Sequence, residues 1–190
     1  MPGQRATHWG WHRLADPFAR QLVREAEVRP GDLVVDVGAG DGALVVPLLA
    51  AGARVVAVEL HPRRAAELRR RFAGAPVVVV QCDAADLRLP RRPFRVVANP
   101  PFAAIAGVLR RLVSPRSRML SADLVVPRHV AARWASPTAP GAGRWQQHYQ
   151  AAVGRSVPPS AFRPAATEPI RCLHIRATQL TRKMQPSPAS

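Results

Sequence analysis

The residues best suited to chemistry in this sequence form one short run, Asn99-Pro100-Pro101-Phe102. Two consecutive prolines hold the backbone extended, so the Asn99 amide and its neighbours' carbonyls are fixed in space. An amide oxygen and a carbonyl oxygen can each accept one N–H of a planar amino group, which localises the nitrogen lone pair for attack. Phe102 can stack on the ring that carries the amino group. The alternative is a plain proline turn with a core phenylalanine, but the run follows an apolar strand, where ligand clefts open in α/β folds.

A glycine-rich loop predicts a second binding function. Gly38 and Gly40 follow an apolar run and precede a predicted helix, so the backbone can turn sharply and present free N–H groups to a ligand. Glu59 ends the next apolar run, where a carboxylate can accept both hydroxyls of a ribose. The loop has the spacing GxGxG rather than the GxGxxG of pyrophosphate binders. We therefore predict an adenosine-containing cofactor without phosphates.

The sequence gives weaker evidence for a role of Asp83 and no pattern typical of a metal site. Asp83 follows the third apolar run, where its carboxylate could accept from an adenine amino group or cap a helix beginning at Ala84. The six histidines show no metal-ligand spacing, and Cys82 and Cys172 are too few for a zinc site or a disulfide framework. We expect no metal and a cytoplasmic location.

The elements that position these residues alternate between short β-rich runs and helix-length amphipathic runs. This alternation predicts an α/β fold, a mostly parallel sheet with helices on both faces. Segments 145–154 and 169–176 are expected to close the sheet edge as an antiparallel pair, and Asp16 is expected to cap the first helix. The predicted strands are 33–37, 54–60, 77–82, 94–99 and 119–126, and the predicted helices are 16–27, 42–50, 62–73 and 103–113.

The charge of the chain is concentrated in its second half. The 190 residues carry a formal net charge of +16, yet residues 87–190 contain only two acids, Asp123 and Glu168. A block this basic within a foldable sequence indicates a nucleic-acid partner; a coding bias towards arginine is the alternative. No apolar run is long enough to span a membrane, and the first residues lack the apolar region of a secretory signal. The predicted RNA-binding residues are Arg91, Arg92, Arg110, Arg111, Arg116 and Arg118.

The segments DVGAGDG, VEL, CDA and NPPF, in this order and spacing, resemble S-adenosylmethionine-dependent methyltransferases that act on amino groups. With VPPSAFRP at residues 157–164, the chain more narrowly resembles the erythromycin-resistance (Erm) family of 23S rRNA adenine-N6 methyltransferases. The resemblance implies a Rossmann-like fold with a seven-stranded sheet and S-adenosylmethionine as cofactor. It implies a monomeric enzyme that methylates 23S rRNA, naked or in assembly intermediates, and confers macrolide-lincosamide-streptogramin resistance.

The resemblance also implies roles for individual residues. Gly38 and Gly40 would pack against the methionine part of the cofactor, Glu59 would bind its ribose, and Asp83 its adenine. Phe102 and Phe162 would cover the two faces of a flipped target adenine. The implied cofactor contacts are His12, Leu14, Gly38, Gly40, Glu59, Asp83 and Asn99. The implied catalytic residues are Asn99, Pro100, Phe102 and Phe162.

The domain organisation follows from the same resemblance. Family members append a helical domain after the position of Arg176, where 14 residues remain here, so the chain resembles the shortened, mycobacterial type. We expect an N-terminal arm over residues 1–15, a catalytic domain over 16–176 and a disordered tail over 177–190. RNA binding would then fall on the basic surface of the catalytic domain. The alternatives are an N-methyltransferase acting on DNA adenine or protein glutamine, and a non-catalytic RNA-binding or assembly protein.

Overall fold

A mostly parallel β-sheet organises the protein, whose computed structural model describes residues 12–178. The strands are β1 (Arg13–Leu14), β2 (Leu33–Val37), β3 (Arg54–Glu59), β4 (Val77–Gln81), β5 (Phe94–Ala98), β6 (Met119–Pro127), β7 (Tyr149–Val157), β8 (Phe162–Arg163) and β9 (Ile170–Ala177). Seven of them form one sheet in the order β4-β3-β2-β5-β6-β9-β7, in which β9 alone runs opposite to the other strands. A separate two-stranded pair joins β1 to β8. The predicted α/β fold is confirmed.

Helices cover both faces of the sheet, and each face has its own apolar core. Val35 and Val37 of β2 pack into one core, while Val34 of the same strand packs into the other. This two-sided burial explains why the central strands read as continuous runs of valine and alanine. The α-helices are α1 (Asp16–Glu25), α2 (Val45–Ala50), α3 (Pro62–Arg71), α4 (Ile105–Leu112), α5 (Arg128–Trp134) and α6 (Ala142–Trp145).

The boundaries depart from the sequence predictions at several places. The predicted edge strand at 145–154 begins only at Tyr149, because Trp145 ends α6 and packs at 6.0 Å from the Trp134 ring. Helix α5 was not predicted. Asp16 does not cap α1: Ala15 holds the N-cap position, and the Asp16 carboxylate pairs with Arg13 at 2.6 Å.

The end of the predicted N-terminal arm is part of the folded body. Leu14 pairs with Phe162 in the β1–β8 ladder, and its side chain is buried in the core beside α1. At the other end, β9 extends to Ala177, one residue past the expected domain boundary. Residues 1–11 of the arm and 179–190 of the tail lie outside the described residues. Within residues 12–178, no helix is both long and apolar enough to cross a membrane.

The strand order creates a crevice between β2 and β5. The chain proceeds from β2 through β3 to β4 on one side, and from β5 to β6 on the other. In open α/β sheets, ligand sites form at the carboxyl ends of the strands where the winding reverses. The glycine-rich loop follows β2 and Asn99 follows β5, so the fold brings the two predicted chemical segments together.

Candidate active site

A cavity of about 380 Å³ opens at the carboxyl ends of β2, β3, β4 and β5. It brings together most of the residues that the sequence predicted. The predicted residues that line it are His12, Gly38, Glu59, Asp83, Asn99, Pro100 and Phe102. Gly40, Leu14 and Phe162 are absent from its lining. The part of the chain that the structure describes contains no cluster of three or more metal-ligating residues.

Gly38 is required by both its conformation and its surroundings. Its φ is +78°, and a Cβ built there would lie 2.6 Å from Cδ of Pro101. The proline run after β5 therefore packs directly on the glycine-rich loop after β2. Any larger residue at this position would push the two walls of the cavity apart.

Glu59 is buried and held by backbone donors on both carboxylate oxygens. Gly40 N–H donates to its Oε2 at 2.9 Å, and His61 N–H donates to its Oε1 at 2.8 Å. Each carboxylate oxygen has a second lone pair that can accept a ligand hydroxyl. Gly40 thus acts on the cavity through Glu59, by orienting its carboxylate, rather than by lining the cavity itself.

Asp83 caps a turn and lines the cavity at the same time. Its Oδ1 accepts the Ala85 N–H at 2.8 Å, at the start of the 3₁₀ turn over Ala84–Asp86. The helix-cap alternative from the sequence is therefore observed. The contact with adenine remains a prediction, and it requires only the other carboxylate oxygen.

Asn99 has a defined amide orientation. Its Nδ2 donates to the His12 carbonyl oxygen at 2.7 Å, which leaves Oδ1 as the acceptor that an incoming amino group would need. The His12 ring stacks on Phe102, with 5.8 Å between ring centroids and 23° between the planes. Nδ1 of His12 donates to the Pro164 carbonyl oxygen at 3.1 Å. His12 thereby contacts both key residues of the proline run, an arrangement that the sequence does not predict.

Phe162 does not lie where the resemblance implied. Its side chain is 3% exposed and packs in the core on the α1 side of the sheet, because β8 pairs with β1 and directs Phe162 inward beside Leu14. The aromatic side chain stacked on Phe102 is instead that of His12. Leu14 lines a smaller cavity of about 20 Å³ that shares His12, Gly38 and Asn99 with the main one.

Asp36 is a site residue that the sequence analysis missed. It lines the small cavity, is 1% exposed, and neither carboxylate oxygen has a hydrogen-bond partner among the described residues. Burial raises the pKa of Asp36 to about 8, with further contributions from the charges of Glu59 and Asp41. An unpaired buried carboxylate is costly and suits a cationic ligand group. The available signal was its position, an acid at the end of a buried strand directly before the glycines.

Arg13 ties the glycine-rich loop to the start of the described chain. Its guanidinium contacts Asp41 at 2.5 Å and Asp16 at 2.6 Å, and the hydrogen bond to Asp41 is the main cause that raises the pKa of Arg13. The loop after β2 is thereby fastened to the segment that carries His12.

The predicted RNA-binding arginines divide between a groove and the open surface. Five of them line a groove along α4, whereas Arg92 is exposed outside it. Arg88, which was not predicted, lines the same groove. The five predicted residues are Arg91, Arg110, Arg111, Arg116 and Arg118.

The sheet order, the cavity at its reversal point and the proline run with its amide acceptor define an S-adenosylmethionine-dependent methyltransferase fold. More narrowly, the chain belongs to the ribosomal RNA adenine dimethylase family, whose profile matches residues 6–165. Family membership confirms the predicted cofactor, S-adenosylmethionine.

Three known proteins illustrate the similarity. A ribosomal RNA small subunit methyltransferase A of Leifsonia xyli is 40% identical over 124 residues, which cover 62% of this chain and 44% of that protein. An rRNA adenine N-6-methyltransferase of Corynebacterium diphtheriae is 33% identical over 133 residues, 69% of this chain and 52% of that protein. The crystal structure of the 23S rRNA methyltransferase ErmE superposes with a TM-score of 0.75 at 22% identity, covering 93% of this chain and 72% of that one.

The similarity has two limits. This chain spans about half the length of the two sequence relatives described above, 44% of one and 52% of the other. At 22% identity, the match to ErmE establishes the shared fold.

Proposed function

We propose that this chain transfers a methyl group from S-adenosylmethionine to N6 of an adenine in ribosomal RNA. The observation that carries the proposal is the Asn99 amide, which the His12 carbonyl orients so that its oxygen is presented as an acceptor at the cavity. Membership of the ribosomal RNA adenine dimethylase family supports the choice of substrate.

The residues at the two cavities fit the parts of this cofactor, which supplies an electrophilic methyl group when bound. The unpartnered acid Asp36 would receive the ammonium of the methionine end and would ionise as it does so, because a neighbouring positive charge lowers the raised pKa of Asp36. Glu59 accepts the ribose hydroxyls and Asp83 the adenine amino group. Gly38, which lines both cavities, would pack against the methionine part of the cofactor, and Gly40 would act through its hydrogen bond to Glu59.

The proline run prepares the amino group for attack. The target adenine leaves its stack in the RNA, and Phe102 stacks on its ring. Asn99 Oδ1 and the Pro100 carbonyl accept the two N–H groups of N6, which concentrates the nitrogen lone pair towards the methyl carbon. The bound cofactor would supply the methyl group, with its sulfur as the leaving group, and Asn99, Pro100 and Phe102 would orient N6 for that transfer. The methylated nitrogen then releases a proton to solvent, and the face of Phe102 favours the transient positive charge.

In its finer form, the proposal places the target adenine in 23S rRNA, where the modification confers macrolide-lincosamide-streptogramin resistance. The segment at 157–164, which carries the resemblance to 23S rRNA adenine methyltransferases, supports this form. A second candidate is an adenine of the small-subunit rRNA. The relative from Leifsonia xyli, a ribosomal RNA small subunit methyltransferase A, favours that candidate.

A methylation assay on defined transcripts tests both forms. The purified chain is incubated with labelled S-adenosylmethionine and unmodified 16S or 23S transcripts, and the RNA is digested to nucleosides for mass spectrometry. We expect N6-methylated adenine in the 23S transcript, and a raised macrolide tolerance in a sensitive bacterium that expresses the chain. Labelling of the 16S transcript alone would select the second candidate.

Parallel substrates test the alternatives that the sequence left open. Double-stranded DNA and a glutamine-containing peptide are assayed at the same concentration as the rRNA transcripts. Preferential labelling of either would contradict the proposal. RNA binding without S-adenosylmethionine binding would instead indicate a non-catalytic RNA-binding protein.

A further inference from the structure

A groove lined by arginines runs along α4 beside the catalytic cavity. The segment after β4, the exposed face of α4 and the segment before β6 enclose about 800 Å³. Ala85 lines both the groove and the catalytic cavity, so the two adjoin at this residue. On α4 the groove is lined by Gly107, Arg110 and Arg111, which span about 6 Å along the helix axis. The arginines that line it are Arg88, Arg91, Arg110, Arg111, Arg116 and Arg118.

Most of this positive charge has no counter-charge. Within residues 12–178, the side chains of Arg88, Arg91, Arg110, Arg116 and Arg118 make no ion pair or hydrogen bond, and the groove lining contains no acidic residue. A concave surface that gathers charges of one sign focuses its field and raises the local concentration of an oppositely charged partner. The groove is therefore built to receive a polyanion.

Arg111 differs from the other five. Its Nε donates to the Ala85 carbonyl oxygen, and its Nη2 lies 3.5 Å from Asp86. This guanidinium braces the turn that follows Asp83, on the border between the groove and the catalytic cavity. Arg111 is consequently a structural residue of the cofactor side, and it is unsuited to a test of polyanion binding.

The lining of the groove also restricts the chemistry of its occupant. No aromatic side chain lines it, so it offers no surface on which nucleobases stack. Guanidinium groups bind phosphate oxygens in bidentate fashion, and such contacts position a nucleic acid without reading its sequence. We propose that this groove binds the phosphate backbone of the RNA next to the target adenine, an inference that rests on the proposed rRNA-methylating function.

The salt dependence of rRNA binding tests this assignment. Arg91→Gln and Arg116→Gln are combined in the full chain, because the two residues lie on different segments of the groove and are both exposed. Each lost phosphate contact lowers the slope of log affinity against log salt by about 0.7 to 0.9 units. We therefore expect the slope for an rRNA transcript to fall by about 1.4 to 1.8 units. The affinity for S-adenosylmethionine should remain at the wild-type value.

A matched double variant controls for the loss of net charge. Arg20→Gln and Arg24→Gln remove the same two charges from the exposed face of α1, outside the groove. The control should keep the wild-type slope. An equal decrease in both double variants, or a wild-type slope for the Arg91/Arg116 variant, overturns the groove assignment.

Two further outcomes separate this inference from the proposed function. If the wild-type chain methylates no rRNA transcript, the proposed function fails regardless of the slopes. If the wild type methylates rRNA and the groove variant binds it normally, only the groove assignment fails. In a competition assay, polyglutamate and unlabelled RNA are compared at equal concentrations of negative charge. If polyglutamate displaces bound rRNA at the lower concentration, the groove binds an acidic protein, and the proposal is wrong.

Discussion

Asn99 and His12 form a unit in which a backbone carbonyl and a ring have separable tasks. The His12 carbonyl orients the Asn99 amide, while the His12 ring covers Phe102. The two variants Asn99→Ala and His12→Ala therefore remove different functional groups. The first removes the acceptor of the target amine, and the second keeps that acceptor and its orienting carbonyl but removes the ring.

For Asn99→Ala we expect kcat to fall by a factor on the order of 100 or more, because an acceptor that acts on the reacting amine is lost. Affinity for RNA should be unchanged, since phosphate contacts supply most of it. For His12→Ala we expect a higher KM for rRNA and a much smaller loss of kcat. Single-turnover kinetics with both variants measure this split, and wild-type turnover of Asn99→Ala would refute the role of the amide.

The raised pKa of Asp36 predicts how the stability of the protein depends on pH. The folded protein raises the pKa of Asp36 from 3.8 to about 8, so the folded state binds the proton more tightly than the unfolded chain. This group therefore contributes stability that is fully present below pH 4 and is lost as the pH rises through about 8.

The Asp36→Asn variant keeps the shape of the side chain and removes the titration. Urea unfolding between pH 5 and 9 measures the difference between the wild type and the variant. We expect the wild type to lose stability relative to Asp36→Asn as the pH rises, with the difference levelling off above about pH 8. Parallel stability curves for the two proteins would show that Asp36 is not buried as an unpaired acid.

At the scale of elements, the contact between the loop after β2 and the run after β5 sets the width of the cavity. Gly38 and Gly74 have nearly the same backbone conformation, with φ of +78° and +79°. A Cβ at Gly38 would meet Pro101, whereas a Cβ at Gly74 would meet nothing within 4 Å. Alanine substitutions at the two positions therefore distinguish the cost of backbone strain from the cost of a steric clash between the two loops.

We expect Gly74→Ala to lower the free energy of unfolding by about 1–2 kcal/mol, the cost of a left-handed conformation for a residue with a Cβ. Gly38→Ala should add an overpacking cost of about 1–3 kcal/mol and weaken cofactor binding. Calorimetric titration of S-adenosylmethionine and denaturant unfolding measure both effects. Equal stability losses in the two variants would mean that Pro101 does not constrain the loop.

At the scale of the whole molecule, the site depends on three distant parts of the chain. Residues 12–14, the run from Asn99, and the segment at 162–164 meet through the β1–β8 pairing and the contacts of His12. Leu14 anchors this assembly in the core beside α1. Leu112, at the end of α4, is equally buried in the other core and has no part in the cavity lining.

Leu14→Ala and Leu112→Ala are therefore expected to be similar in stability and different in function. Each should lower the free energy of unfolding by about 2–5 kcal/mol, as large-to-small core substitutions do. Only Leu14→Ala should reduce kcat when both variants are assayed well below their unfolding temperatures. A loss of kcat shared by both variants would attribute the effect to general destabilisation.

Much of the architecture was predictable from the sequence because its causes are local. Buried parallel strands need runs of apolar β-branched residues, and glycine is needed where a turn requires positive φ. The runs ending at Val37, Glu59 and Ala98 therefore identified the strands, and parallel pairing places their carboxyl ends at one edge. Glu59, Asp83 and Asn99 were predicted at the cavity for this reason, and the cavity contains them.

Only the tertiary structure shows which side chains face the cavity when the segments that form it are distant in the sequence. The pairing of β1 with β8 turned Phe162 into the core and brought His12 onto Phe102, although 150 residues separate His12 from Phe162 in the sequence. The lack of a hydrogen-bond partner for Asp36 and the clustering of arginines in one groove also result from contacts between distant segments. Burial and partnership are properties of the packed molecule, because they depend on which segments meet in space rather than on the neighbours of a residue in the chain.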